Sequence, residues 1–230
     1  MDYSPDRFSE SASSSPGTSP QENNSLPHPS PSHDQAFACL VTRVQSCRLC
    51  PRMEGRSRVF GPANGSIHAS VLFVAEAPGR LGADRWQVPL FGDQTGRTFE
   101  ELLQVAELDR QQIFITNAVL CNPRDEHGNN APPARQEIEN CSQHLRETIV
   151  LLQPRYVVTL GQVALKAVRY IAPHDLTLAE HVGHAYAWHE RWLIPLYHPG
   201  PRARVHRPLT LQKEDYRRLG VLLQNSDAVR

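Results

Sequence analysis

The sequence has no net charge, because its 24 Lys and Arg are balanced by 24 Asp and Glu. A chain without a global cationic field does not advertise a polyanionic partner, so nucleic-acid binding would have to come from a local patch. The sequence also lacks an apolar run of the roughly 18 residues needed to span a bilayer, and its start shows no basic segment followed by an apolar one. The expectation is a soluble, intracellular protein with no membrane association. Cysteine is scarce, with five unevenly spaced in 230 residues. That is too few for a disulfide scaffold, and an intracellular CxxC points to redox or metal chemistry. No internal repeat is present. Aliphatic side chains are almost missing from residues 1 to 34, which are rich in Ser and Pro. Such a composition buries too little apolar area to offset chain entropy, so a disordered tail is expected there.

What remains suffices for one core, since 40% of the chain is hydrophobic. We expect one domain over residues 35 to 222 and a short C-terminal tail over 223 to 230. Its organising stretch runs from residue 71 to 91. Val71, Leu72, Phe73 and Val74 form a continuous apolar run, as in a parallel strand covered on both faces. The run stops at Ala75-Glu76-Ala77-Pro78-Gly79, a loop at the carboxyl end of a strand, where ligands bind in open α/β sheets. Before it, Phe37, Leu40, Val41 and Val44 recur at helical spacing, with Asp34 as expected N-cap and Cys39 as a core thiol. After it, a helix is expected from Thr98, with Glu100 and Glu101 in its first turn. Further strands are expected at 113 to 119, 156 to 160 and 192 to 197, and further helices at 134 to 152 and 162 to 170. This alternation predicts an α/β fold, a three-layer α/β/α domain around a central, mainly parallel four-stranded sheet.

Cys47 and Cys50 form a CxxC closed by Pro51, Cys121 follows the second strand, and Cys141 lies on the next helix. Four thiolates close a tetrahedral site, and both zinc and a [4Fe–4S] cluster accept such a set. The plainer alternative is four buried cysteines that only pack. Spacing does not choose between the two metals. Either would tie the first helix to the loop after the second strand.

Three strand ends carry polar residues that a parallel sheet brings to one edge: Glu76, Asn117 and His198. Each alone has an ordinary explanation as a turn former or cap. Together they suit a base pocket, since an Asn amide matches the carbonyl and ring N–H of uracil or thymine and mismatches cytosine. A histidine stabilises a developing anion. Phe91 offers a flat face for a base, although a core aromatic is an equal reading. Arg202, Arg204, His206, Arg207, Lys213, Arg217 and Arg218 then make a local basic segment, and Pro199-Gly200-Pro201-Arg202 is a stiff loop suited to a nucleic-acid backbone.

These residues resemble the uracil-DNA glycosylase superfamily, in particular its iron–sulfur branch, families 4 and 5, over residues 37 to 220. Ala75-Glu76-Ala77-Pro78-Gly79 is similar to the first motif, GEAPG in family 4; Thr116-Asn117-Ala118-Val119-Leu120-Cys121 is similar to the strand motif that ends in a cluster cysteine; Tyr197-His198-Pro199-Gly200 is similar to the HPS motif. The cysteine order matches as well. The resemblance implies a structural [4Fe–4S] cluster on Cys47, Cys50, Cys121 and Cys141, with structural zinc as the alternative, and no soluble cofactor. It implies that Phe91 stacks on the extruded base, Asn117 reads its edge, His198 supports charge on the departing base, and Glu76 lies near the sugar and the attacking water. Ala75, Ala77 and Gly79 would line the substrate. Ala75 stands where the family usually has Gly, Ala77 where other branches carry a water-activating Asp, and Gly200 where Ser is common. The implied reaction is hydrolysis of the N-glycosidic bond of uracil, and of other deaminated bases, in DNA to start base excision repair. The implied setting is a cytoplasmic, nucleoid-associated monomer of prokaryotic type whose partner is DNA containing uracil or other deaminated bases. The alternative is a non-catalytic iron–sulfur protein that binds uracil or damaged DNA.

Overall fold

A computed structural model describes residues 32–227. The tail expectation for positions 1 to 31 lies outside the described residues. Positions 32 to 34 do not belong to a tail. Ser32, not Asp34, caps the first helix: its Oγ accepts from the Gln35 N–H, and the Gln35 side chain accepts from the Ser32 N–H.

The elements follow as helix α1 (His33–Ser46), strand β1 (Val71–Ala75), helices α2 (Ala83–Trp86) and α3 (Gln94–Val105), strand β2 (Phe114–Asn117), helix α4 (Arg135–Leu152), strand β3 (Tyr156–Leu160), helices α5 (Gln162–Ala167) and α6 (Leu178–His181), strands β4 (Tyr186–Trp188) and β5 (Arg191–Leu196), and helix α7 (Leu209–Asp227). The sheet runs β2-β1-β3-β5-β4. Four strands are parallel as the apolar runs predict, but a fifth, β4, pairs antiparallel at the edge. β4 is only three residues long and half exposed, so it lacks the buried apolar run that marks the others.

Alternation along β1 builds both outer layers. Leu72 and Val74 join Leu40, Val44, Leu145, Ile149 and Leu165 in one core, covered by α1, α4 and α5. Val71, Phe73 and Ala75 join Phe99, Leu102, Tyr216 and Leu219 in the other, covered by α3 and α7. Cys39 is exposed rather than a core thiol, because the buried face of α1 is Phe37, Leu40 and Val44. α3 starts at Gln94, earlier than expected, because Asp93 Oδ1 accepts from the Gly96 N–H and caps it; its first turn carries no acid. Helix α7 continues to Asp227 and buries Leu223, so residues 223 to 227 are not a separate tail.

The parallel register aligns the strand ends. Ala75 pairs with Asn117, and Leu160 with Leu196, so the loops that begin at Glu76, Ala118, Gly161 and Tyr197 leave from one edge. Arg207 donates to Asp215 through Nε and Nη2, at 2.9 and 2.6 Å, and fastens the loop after His198 to α7. Among the described residues no helix is long and apolar enough to cross a membrane.

Candidate active site

A cavity of about 750 Å³ opens at this edge, which is where an open α/β sheet offers a crevice. Glu76, Ala77 and Gly79 line it from the loop after β1, Asn117 from the end of β2, and His198 from the loop after β5. The residues expected to converge from three strands do converge. Ala75 does not reach the cavity: it is buried in β1, where its carbonyl accepts from the Ala118 N–H at 2.8 Å. Phe91 does not line the cavity either. Its ring is 45% exposed and lies edge-on to Trp86, with centroids 6.3 Å apart. Leu90, in the left-handed region at φ +49°, supplies the wall at this point, and the chain then turns Phe91 outward.

Asn117 is the most informative residue here. It is 2% exposed, and its Nδ2 has no hydrogen-bond partner within the protein. A buried amide donor left unmet costs on the order of 1–3 kcal/mol. One that faces a cavity is a group set for a ligand.

His198 is prepared in a different way. The Gly200 N–H donates to its Nδ1 at 3.0 Å, which leaves the ring proton on Nε2. Burial pushes the imidazole down to about 4, against the opposing influence of Asp93. The ring is therefore a neutral donor at physiological pH. A Cβ at Gly200 would lie 2.8 Å from His198 Nδ1, so a side chain there would have to displace the ring.

Burial pushes the Glu76 carboxyl above its ordinary range, and the positive charge of Arg202, across the cavity, works to lower it. A network holds the loop that carries Glu76. Asn122, 1% exposed, donates from Nδ2 to the Pro78 carbonyl at 2.6 Å and to Asn130 Oδ1 at 2.9 Å, while Asn130 Oδ1 also accepts from the Arg80 N–H. Arg124 bonds Asn122 Oδ1 at 2.6 Å and pairs with Asp84 at 2.7 Å. Sequence reasoning missed Asp93, Asn122 and Asn130. The Asp-x-x-Gly cap spacing at 93 to 96 would have marked the first; nothing in the sequence pairs Asn122 with a loop more than forty residues earlier.

The four cysteines meet elsewhere. Cys47, Cys50, Cys121 and Cys141 line one small apolar cavity together with Met53 and Val119. Burial pushes the Cys121 thiol to about 11 and that of Cys141 to about 12, and neighbouring cysteines add to both effects. The Leu120 N–H donates to Cys141 Sγ at 3.4 Å, and Asn140 Nδ2 to Cys50 Sγ at 3.5 Å. Among the described residues, no three His, Cys, Asp or Glu side chains close on a point suited to a single ion. Next to this site, Arg52 bonds Glu137 through Nε at 2.8 Å and Nη2 at 2.5 Å. Burial opposes ionisation of Glu137, but the bonds from Arg52 and the Ala134 N–H outweigh it and hold the carboxyl below its ordinary value.

Comparison with known proteins decides the family. A family model described as the Uracil DNA glycosylase superfamily matches residues 62–219. The chain belongs to the uracil DNA glycosylase superfamily. Among superfamily members it is 29% identical over 190 residues to the Type-4 uracil-DNA glycosylase of Archaeoglobus fulgidus, covering 80% of this chain and 91% of that protein. It is 30% identical over 187 residues to the Type-4 enzyme of Sulfurisphaera tokodaii, covering 78% and 81%. A Type-5 uracil-DNA glycosylase of Pyrobaculum aerophilum is 26% identical over 190 residues, covering 70% and 81%. Similarity of this kind extends to both branches that the motifs resemble.

The His198 geometry is directly testable. Nitrogen and carbon NMR of the imidazole should find the Nε2–H tautomer, still neutral as the pH falls from about 8 to about 5. A midpoint near the ordinary histidine value would contradict it.

Proposed function

We propose that this protein is a uracil-DNA glycosylase that hydrolyses the N-glycosidic bond of deoxyuridine in DNA, leaving an abasic site, as a first step of base excision repair. The observation that carries the reading is Asn117. Its unmet Nδ2 donates to uracil O4 while Oδ1 accepts from N3–H, and cytosine offers the reverse pattern on both atoms. Extrusion costs a few kcal/mol of stacking and pairing, and recovery of the unmet donor offsets part of it. His198 donates from Nε2 to O2, where charge accumulates as the base departs. Its neutrality keeps a full hydrogen bond without placing a fixed cation beside the sugar.

Glu76 orients the attacking water or faces the electron-poor sugar. Burial raises its pKa, which strengthens it as a base, and the charge of Arg202 works against that rise. Thus Glu76, Asn117 and His198 are the proposed catalytic residues, with the backbone at Ala77 and Gly79 forming the cavity floor. Phe91 is left out of the pocket. Ala75 acts from behind it, by keeping β1 and β2 in register. The cavity is roomy for one pyrimidine, and release of other deaminated bases belongs to the same assay.

The cysteine site fits a bound iron–sulfur cluster. Its donors are four thiols around one apolar space, two of them supported by N–H groups, a donor set that a [4Fe–4S] cluster accepts. Cys47, Cys50, Cys121 and Cys141 would hold it. When bound, it supplies structure, fastening α1 and the segment after it to α4 and the loop after β2, and no bond cleavage is assigned to it.

Purified protein should release uracil from a labelled oligonucleotide, and Asn117→Ala should slow single-turnover release by about 100-fold or more. Tight binding of uracil DNA by the parent without release would leave the non-catalytic alternative standing. Anaerobic purification should give a coloured protein with equal iron and sulfide, whereas a colourless zinc protein would contradict the cluster.

A further inference from the structure

Between the Glu76 loop and α3 the chain places an apolar cluster in solvent. Trp86 is 52% exposed, Leu81 60% and Phe91 45%. Their neighbours Gly79, Ala83 and Leu90 line the catalytic cavity, so the cluster continues the cavity wall outward. Exposed apolar residues are common singly, but an aromatic pair at the lip of a site calls for an occupant.

The pair is held in place. Gly92 has φ +84°, and a Cβ there would lie 2.2 Å from Trp86 Cδ1, so the indole rests against bare backbone. Phe91 meets it edge-on at an interplanar angle of 89°. The Arg85 guanidinium lies over the indole, 5.6 Å from its centroid. The local charge is positive on balance: Arg80 and Arg85 flank the cluster, and of the two nearby acids Asp84 pairs with Arg124 while Asp93 caps α3 and lies against Gly79 and Gly82. A fixed aromatic face with arginines beside it is the recognition chemistry of unpaired nucleotides, in which bases stack and phosphates are neutralised.

We propose that Trp86, braced by Phe91 and Arg85, is a stacking platform for the unpaired nucleotide next to the extruded base. This rests on the reading that the cavity takes a DNA base. It gives the protein a preference for single-stranded or locally opened DNA, because in an intact duplex the neighbouring base is stacked within the helix.

The test is fluorescence anisotropy with uracil-free oligonucleotides, single-stranded and duplex, on the parent chain and on Trp86→Ala, Trp86→Phe and Trp192→Ala. Trp192 is 41% exposed at the opposite end of its strand and serves as the control. Trp86→Ala should weaken single-strand binding by about tenfold, the scale of one lost stack, with a smaller effect on duplex. Trp86→Phe should retain most of the affinity, and Trp192→Ala should match the parent. Parent-like single-strand binding by Trp86→Ala would overturn the platform, as would an equal loss in Trp192→Ala. A parent dimer that Trp86→Ala disperses would overturn it in favour of self-association. Uracil release on the same preparations separates the two readings: a parent that releases no uracil but shows the Trp86 effect refutes the glycosylase, not the platform.

Discussion

Parallel pairing of β1 with β2 and β3, and of β3 with β5, is the constraint from which the site follows. It forces the four chain exits to one edge of the sheet, so Glu76, Asn117 and His198 face one cavity although they are far apart in sequence. The pairing is stable because both faces of these strands are buried, by α1, α4 and α5 on one side and α3 and α7 on the other. Positioning then becomes local. The Asn122 and Asn130 network fixes the Glu76 loop, the Gly200 N–H fixes the His198 ring, and Arg207 with Asp215 fixes the loop between His198 and α7.

Inside that frame, three polar groups divide the electrostatic work. Asn117 carries a buried Nδ2 that the protein leaves unmet, at a standing cost in stability. His198 is kept neutral by burial, and Glu76 is raised by burial and tempered by Arg202. Burial therefore acts in opposite chemical directions on the two titratable groups, disfavouring the cation in one and the anion in the other. In the proposed reaction these are a donor for the departing base and a carboxyl of raised pKa near the sugar. The four cysteines line a separate small cavity, away from these three groups.

Much of this was legible in the sequence, for physical reasons. The four parallel strands read clearly because strands buried on both faces are continuous apolar runs, and their order dictated which loops would meet. The CxxC and the two later cysteines were expected to meet, and they do line one cavity. Other features depend on facts that no spacing encodes. β4 was missed because a three-residue, half-exposed edge strand has no signature. Phe91 was placed in the pocket on its motif, but the backbone turn at Leu90 and Gly92 sends its ring outward to Trp86. Cys39 was misread although its position gave the answer, being off the stripe of Phe37, Leu40 and Val44. Asn122 was invisible because its partners are a distant loop and a carbonyl.

The central claim is that Asn117 reads the base edge inside the cavity, and a change of one atom tests it most directly. Asn117→Asp removes the donor and presents an acceptor, which suits the exocyclic amine of cytosine and repels uracil O4. Single-turnover release from matched oligonucleotides containing one uracil or one unpaired cytosine measures both. The account predicts that uracil release falls and that measurable cytosine release emerges, so the ratio of the two rates moves toward cytosine. A variant that keeps the parent's uracil rate and its indifference to cytosine would show that the base is read by another group.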